Sequence, residues 1–496
     1  MSALDDLLAR GTRVQDGPWP RSEVDQATWD ALADGFARDA WSLVSLWADG
    51  ALVHMALREA DRIAVATIAA GQGYPSVAQH HPPALRLERA LATLTGLVPE
   101  GLPDTRPWLD LGKWPLRQPL GGHLPAAPVD YPFLAAEGEG LHQIPVGPVH
   151  AGIIEPGHFR FTANGETVVR LEQRFGYVHK GIDALMVGAP LDRAARLAAR
   201  VSGDSSVAYA WAFARAVETA TGTEVPARAV SLRALMAEME RIANHLGDIG
   251  AICNDASFVL IHTHCAILRE LVLRASAACF GHRLMMDRVV PGGVAVDLDA
   301  DGATRLRALV AGIRRAFPEL IELYDNTASL QDRTVTTGIV TQELARQYAA
   351  GGYVGRASGR GLDVRKGPGY APYDALNFAV PVFPEGDVNA RVWVRIREAE
   401  ESLSLIEQIV ERLPSGPLRT EPRAGRGEGA ALIESFRGDV FVWLRLNADG
   451  TVARCHLRDP SWFQWPLLEA AIEGNIVADF PLCNKSFNCS YSGHDL

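Results

Sequence analysis

Three long helical patterns follow one another between residues 191 and 286, and they limit the fold more than any other feature of the chain. Leu191–Thr221 is dense in alanine. Val230–Ile252 places Leu232, Leu235, Met236, Met239, Ile242, Ala243 and Leu246 on one face, and His262–Met286 continues the pattern. Ala303–Tyr324 and Val394–Leu413 add two more. Several of these segments are apolar nearly all round, which surface helices are not, so they are expected in the interior of a bundle.

The flanks read differently. Within residues 1–125, Ser42–Trp47 and Asp61–Ile68 are strand-like, and Leu85–Leu97 has helical spacing that stops at Gly96. This predicts a small α/β domain. Residues 118–140 hold several prolines and glycines with little periodicity, and 126–140 is the expected linker. Beyond Pro414, Gly429–Ser435, Asp439–Asn447 and Thr451–Leu457 read as strands, with Asn447-Ala448-Asp449-Gly450 as a hairpin turn. Pro466–Glu473 is expected to be helical, followed by a polar tail over Asn475–Leu496. The predicted class is α+β: a small N-terminal α/β domain (1–125), the linker, and a large, mainly helical bundle domain with β appendages (141–496).

Composition excludes several function classes. A net charge of −11 argues against nucleic acid as a partner. No stretch approaches the roughly 18 apolar residues of a membrane span, so none is expected, and Met1–Asp6 is unlike a secretory leader. Six cysteines are too few for a disulfide scaffold, and none forms a C-x-x-C pair. A reducing cytoplasm is the expected compartment. No phosphate-binding G-x-x-x-x-G-K-[ST] is present. His262 and His264 would point about 200° apart on a helix, which suits packing better than a shared metal.

Several segments resist a purely structural reading. Arg200-Val201-Ser202-Gly203-Asp204-Ser205 and Asp459-Pro460-Ser461-Trp462-Phe463-Gln464 both have the frame of a paired-thiolate motif with the sulfurs replaced. Beside them stand Gly147–Arg160, with His150, Glu155 and His158; Gly176-Tyr177-Val178-His179-Lys180-Gly181-Ile182; Met239–His245; and Arg356–Gly359 with Asp363-Val364-Arg365. On these residues the chain resembles the large subunit of energy-converting [NiFe]-hydrogenases of the formate hydrogenlyase type, and the 49-kDa subunit of respiratory complex I. Tyr74-Pro75-Ser76 and Trp114-Pro115-Leu116-Arg117 make residues 1–125 similar to the complex I 30-kDa subunit.

That resemblance implies a subunit of a membrane-associated oxidoreductase complex. The hydrogenases hold nickel and iron with four cysteines in R-V-C-G-I-C and D-P-C-x-x-C. The matching positions here are Ser202, Ser205, Ser461 and Gln464, so the resemblance implies a nickel–iron site without its ligands and no metal. Glu155 stands at the family's proton-relay glutamate and Arg437 at its arginine above the metal, while Arg200 and Asp459 keep their places. The quinone-binding tyrosine of the complex I subunit falls at Gly203, and its first loop histidine at His150. The expectation is a polar cavity lined by Ser202, Asp204, Ser205, Tyr209, Glu155, Arg437 and Arg200. There Glu155, Asp204 and His150 handle protons, and Arg200 and Arg437 stabilise negative charge. No cofactor is expected on the chain itself. The implied partners are a small iron–sulfur subunit carrying a 4Fe–4S cluster and membrane subunits of the complex, with a quinone-like or other acceptor. The place is the inner face of the cell membrane. The alternative is a non-catalytic assembly subunit. The tail Asn484–Leu496 is expected to stay attached and fold over the site.

Overall fold

A computed structural model describes residues 2–496 apart from 16, 123, 126 and 129; two positions of the expected linker, 126 and 129, therefore lie outside the described residues. The chain combines helices with several small sheets, in agreement with the α+β expectation.

Near the N-terminus, β1 (Thr12–Gln15), β2 (Arg21–Glu23), β3 (Ser42–Asp49), β4 (Leu52–Glu59) and β5 (Arg62–Ala69) form one sheet in the order β1-β2-β5-β4-β3, with β2 and β5 parallel. Strands β3, β4 and β5 are apolar on both faces because both are covered. Leu46, Met55, Leu57 and Ala66 meet Trp29 and Phe36 of α1 (Gln26–Ala37) and Leu91 of α2 (Leu85–Thr95). Val44, Trp47, Ala56 and Val65 meet Leu432, Phe441 and Trp443 from a distant sheet. Gly96, in the left-handed region at φ 81°, closes α2 where the sequence reading ends it.

Among the described residues no further strand joins the free edge of β3. Arg458 Nε donates to the Val44 carbonyl at 2.9 Å, and Arg454 Nε to the Ala48 carbonyl at 3.2 Å. Guanidinium groups thus satisfy an edge that would otherwise be open to pairing.

A second sheet, β6 (Leu141–Val146), β7 (His158–Asn164) and β8 (Thr167–Arg174), was not anticipated from the sequence. The bundle follows. The single helical pattern expected over Leu191–Thr221 is two helices, Leu191–Ala198 and α3 (Ser206–Thr221), separated by a short turn at Gly203–Ser205. Serine and glycine at 202–206 compete with or weaken helical bonding, and the break falls there. Then come α4 (Ala227–Asp255), α5 (Val259–Phe280, shorter than expected because Gly281 at φ 74° ends it), α6 (Ala300–Asn326) and α7 (Val388–Glu411). Helices α4, α5 and α7 pack together, and α3 lies against β9 (Gly427–Glu434). With β10 (Asp439–Leu446) and β11 (Val452–Arg458), β9 forms the expected antiparallel sheet.

Helix α8 (Ser461–Ile472) starts earlier than the predicted Pro466–Glu473. The polar tail carries α9 (Phe480–Phe487) and the short helix Tyr491–Asp495, and residues 491–495 are all buried. Among the described residues no helix is long and apolar enough to cross a membrane.

Candidate functional site

Asp204, in the turn before α3, is the centre of the site. Ser202 Oγ donates to Asp204 Oδ1 at 2.6 Å, and Ser205 Oγ donates to the same oxygen at 3.2 Å. Arg437, in the tight connection between β9 and β10, donates from Nη2 to Asp204 Oδ2 at 2.6 Å and from Nη1 to Ser205 Oγ at 3.2 Å. Its position depends on Gly352, whose φ is +60° and where any Cβ would lie 2.0 Å from the Arg437 carbonyl oxygen. Burial works to raise the Asp204 carboxyl. Arg437 and the two serine hydroxyls outweigh it and hold the group below its usual value. Asp204 is therefore a fixed carboxylate in an ion pair, which suits charge balance rather than proton donation.

The other predicted residues arrive from three directions. Tyr209 OH donates to Asp459 Oδ2 at 2.6 Å, and Asp459 Oδ1 accepts the Ser461 N–H at 2.8 Å. Gln464 donates to the Arg437 carbonyl at 2.9 Å. Glu155 reaches the cluster indirectly, its Oε2 accepting the Ser492 N–H at 3.1 Å. His150 stays within its own loop, Nε2 to the Gly157 carbonyl at 2.8 Å.

Two expectations need correction. Arg200 does not face the cluster. Its guanidinium forms a two-pronged pair with Asp287 at 2.6 and 2.8 Å, on a side chain 42% exposed. Nor do the predicted residues surround one open cavity, because the segment Asn488–Gly493 occupies the space between them. Arg437 Nε donates to the Asn488 carbonyl at 2.7 Å. Cys489 Sγ lies 3.9 Å from Gln464 Oε1, the Ser490 N–H reaches Ser461 Oγ at 2.8 Å, and Trp465 Nε1 donates to the Ser490 carbonyl at 3.2 Å. The tail does fold over the site, as expected, but inside it rather than across its mouth.

The residue that sequence reasoning missed is Ser490. Its Oγ lies 3.0 Å from Ser202 Oγ, whereas Ser461 and Gln464 bond to backbone groups around it. The four-residue frame that faces Ser202 and Ser205 is thus Ser490-Tyr491-Ser492-Gly493. At Gly493 a Cβ would sit 2.5 Å from Asp459 Oδ2 and 2.9 Å from Ser490 Oγ, so a second side chain would point into the same space. The spacing itself, a serine and a glycine three apart, was the available signal.

The motif Gly176–Ile182 grips this tail. Asp495 Oδ2 accepts the N–H groups of Gly176 at 2.9 Å and Val178 at 3.0 Å, and the Lys180 N–H donates to the Leu496 carbonyl at 2.8 Å. Lys180 Nζ donates to the Val201 carbonyl, and burial lowers its ammonium pKa.

Behind the cluster lies a second network made of charges. Arg356 bonds Glu398 at 2.6 Å and Glu434 at 2.9 Å, and Arg365 bonds Asp363 at 2.6 Å and Glu238 at 3.0 Å. Arg241 bonds Glu238 at 3.2 Å, and His245 bonds Glu398 at 2.7 Å. All eight residues are buried. The sequence motifs at Met239–His245, Arg356–Gly359 and Asp363–Arg365 meet here.

Comparison with known proteins gives concordant findings. The family model described as respiratory-chain NADH dehydrogenase, 49 Kd subunit, matches residues 255–425 and 418–495. Formate hydrogenlyase subunit 5 of Escherichia coli (strain K12) is 32% identical over 85% of this chain and 77% of its own length. The carbon monoxide-induced hydrogenase of Rhodospirillum rubrum is 33% identical over 70% and 97%, and an NADH-quinone oxidoreductase subunit of Herpetosiphon aurantiacus is 33% identical over 68% and 94%. Among solved structures, a chain of the membrane-bound sulfane sulfur reductase, an archaeal respiratory membrane complex, superposes with a TM-score of 0.68 at 26% identity. That match covers 74% of this chain and all of the other.

Proposed function

The chain belongs to the family of the complex I 49-kDa subunit and the formate hydrogenlyase-type hydrogenases. From that premise we propose that it serves, without a nickel–iron centre of its own, in electron transfer within a membrane-associated oxidoreductase complex. It is a subunit of a hydrogenase-like, complex I-like assembly. In the proposed reaction a small partner subunit with a 4Fe–4S cluster supplies electrons. They pass, with protons, to a quinone-like or other small acceptor beside Asp204 and Arg437. The chain would sit peripherally at the inner face of the cell membrane, held there by partner subunits.

The donor set carries this reading. Nickel and iron in such a site need soft, anionic sulfur. The groups that meet here are the hydroxyls of Ser202, Ser205, Ser461 and Ser490 with the Gln464 amide, and they are hard and neutral. The nearby Cys489 is buried, and burial pushes its thiol well above the usual range, so it is not a thiolate at neutral pH. These residues do not fit the metal pair. Arg437 can still stabilise negative charge arriving at the site, and Glu155 remains joined to it through Ser492.

One observation favours a second reading, the non-catalytic assembly subunit: the tail fills the space that an acceptor would need. The first experiment is the nickel and iron content of the purified intact complex, with a hydrogen-uptake assay. Iron confined to the partner's clusters, with neither nickel nor hydrogen activity, is expected; stoichiometric nickel would sink the proposal. Glu155→Gln then separates the two readings. Loss of turnover in an assembled complex supports electron and proton transfer here, and normal turnover supports the assembly role.

A further inference from the structure

A pocket of about 240 Å³ reaches the site at Gly203 and Asp204, with no tail residue in its lining. Asp204, Glu240 and Asn244 form its polar part, and Met239, Leu273 and Met285 form its walls. The Asp204 side chain is 36% exposed despite its ion pair with buried Arg437, and it also lines this pocket.

Glu240 is only 7% exposed. Its two carboxyl oxygens accept the N–H groups of Val207 at 2.7 Å and Ala208 at 3.2 Å, in the first turn of α3. Arg241, next on the same helix, points away to Glu238 and to the carbonyls of Glu434 and Ser435. From α5 and the loop after it, Arg269 and Arg283 face the pocket, and Arg283 is held at 2.7 Å by Glu270. From the turn before α3 comes the charge of Asp204. Asn244 ties the two acids together, donating to the backbone carbonyls of Asp204 at 2.8 Å and Glu240 at 2.9 Å.

We propose that Glu240 is a proton-exchange acid, loaded from solvent through this pocket and releasing its proton across the pocket to the Asp204 side of the site. Burial, which its two amide bonds only partly offset, pushes its carboxyl up to about 8, and the Asp204 charge adds to this. At neutral pH Glu240 therefore holds a proton while Asp204 does not. A proton leaving a Glu240 oxygen is replaced by one from pocket water, so the carboxyl returns to its starting form and no electron moves. Its use in turnover rests on the electron-transfer reading above; its exchange with solvent does not.

The test has two arms. In the purified chain, infrared difference spectra should show a protonated-carboxyl band that titrates near pH 8 and shifts at once on mixing with deuterium oxide. Glu240→Gln, whose one carbonyl oxygen keeps an acceptor for the amide of Val207 or of Ala208, should remove that band and leave those of Glu88 and Glu434, both about 7. Ala243→Leu, which narrows the pocket, should slow the deuterium shift at least tenfold. A band that survives Glu240→Gln, or that exchanges equally fast in Ala243→Leu, overturns the proposal. In the intact complex, Glu240→Gln should cut turnover at least tenfold and abolish its alkaline limb, with partial rescue by Glu240→Asp. An unchanged pH profile overturns the role in the site. A wild-type complex with no turnover at all refutes the electron-transfer reading instead and leaves the infrared arm to decide.

Discussion

The hydroxyl cluster around Asp204 and the charged network behind it lie side by side, yet they are built on opposite terms. The network around Arg356 answers its buried groups with one another: four carboxyl groups, three guanidinium groups and one imidazole, all buried. Burial pushes Glu238 and Glu398 upward, but their cations hold both below the usual range. Glu434, burdened first by burial and then by Asp363, rises to about 7. The hydroxyl cluster has one ion pair among the described residues, Asp204 with Arg437, a second carboxylate, Asp459, held by hydrogen bonds, and otherwise neutral groups closed over by the chain's own tail. Charged networks resist change one member at a time, because removing a partner strands a buried charge. A cluster of hydroxyls loses only a hydrogen bond per step. On the proposed reading, the difference explains how a site can be without soft ligands beside an intact charged network.

The comparison can be broken at four points. Arg356→Met strands Glu398 and Glu434 and should cost about 3–5 kcal/mol, read as a large drop in denaturant midpoint; a loss below about 1 kcal/mol would show that the network is not coupled. Arg437→Met should cost less, about 1–3 kcal/mol, since Asp204 is partly exposed and keeps its two serine bonds. Ser202→Ala and Ser490→Ala should each cost about 1 kcal/mol or less, with a coupling of a few tenths in a double-mutant cycle. The paired change Ser202→Cys and Ser490→Cys should cross-link under mild oxidation, given the 3.0 Å between the two oxygens. Failure to cross-link would remove Ser490 from the site and return Ser461 to it.

A further effect is on pH dependence. Glu240 and Glu434, at about 8 and about 7, bind protons more tightly folded than unfolded. Stability should therefore fall as pH rises from about 4.5 to about 8. Asp204 and Glu238, both lowered, act the other way, and their contribution is lost as pH falls below about 4. Urea midpoints across this range should peak on the acid side of neutrality, and Glu240→Gln should flatten the alkaline decline.

Periodicity made the bundle legible. The run at Val230–Ile252 becomes the core of Ala227–Asp255, and the three C-terminal strands fall within two residues of their predicted bounds. What periodicity could not show was the break at Ser202–Ser206, where local hydrogen-bonding competition stops an otherwise continuous helical pattern. The sheet at 141–174 was hidden among glycines and prolines. The tail's polar residues gave no sign of its burial, yet Ser490, Ser492, His494 and Asp495 are all buried. Their partners come from segments hundreds of residues away, which no local window contains. Distance also hid the contact between Ser202 and Ser490, 288 residues apart, and the turn of Arg200 toward Asp287, 87 residues away.

The joint at β3 has a consequence for how the two ends of this chain are matched. Strand-to-strand pairing would lock the N-terminal sheet to β11 through a continuous ladder, residue by residue. Here two arginines four residues apart, Arg454 and Arg458, reach two carbonyls four residues apart, Ala48 and Val44. The attachment is a two-pin plug whose pins are side chains, so it demands a spacing and leaves the backbone of both sheets unaltered. Every pin donates to a carbonyl, which all twenty residues provide. The two carbonyls set no side-chain requirement of their own; on the socket side that falls to Ser45, whose hydroxyl lies 2.8 Å from His456 Nε2, and to Val44 and Trp47, packed against Leu432, Phe441 and Trp443.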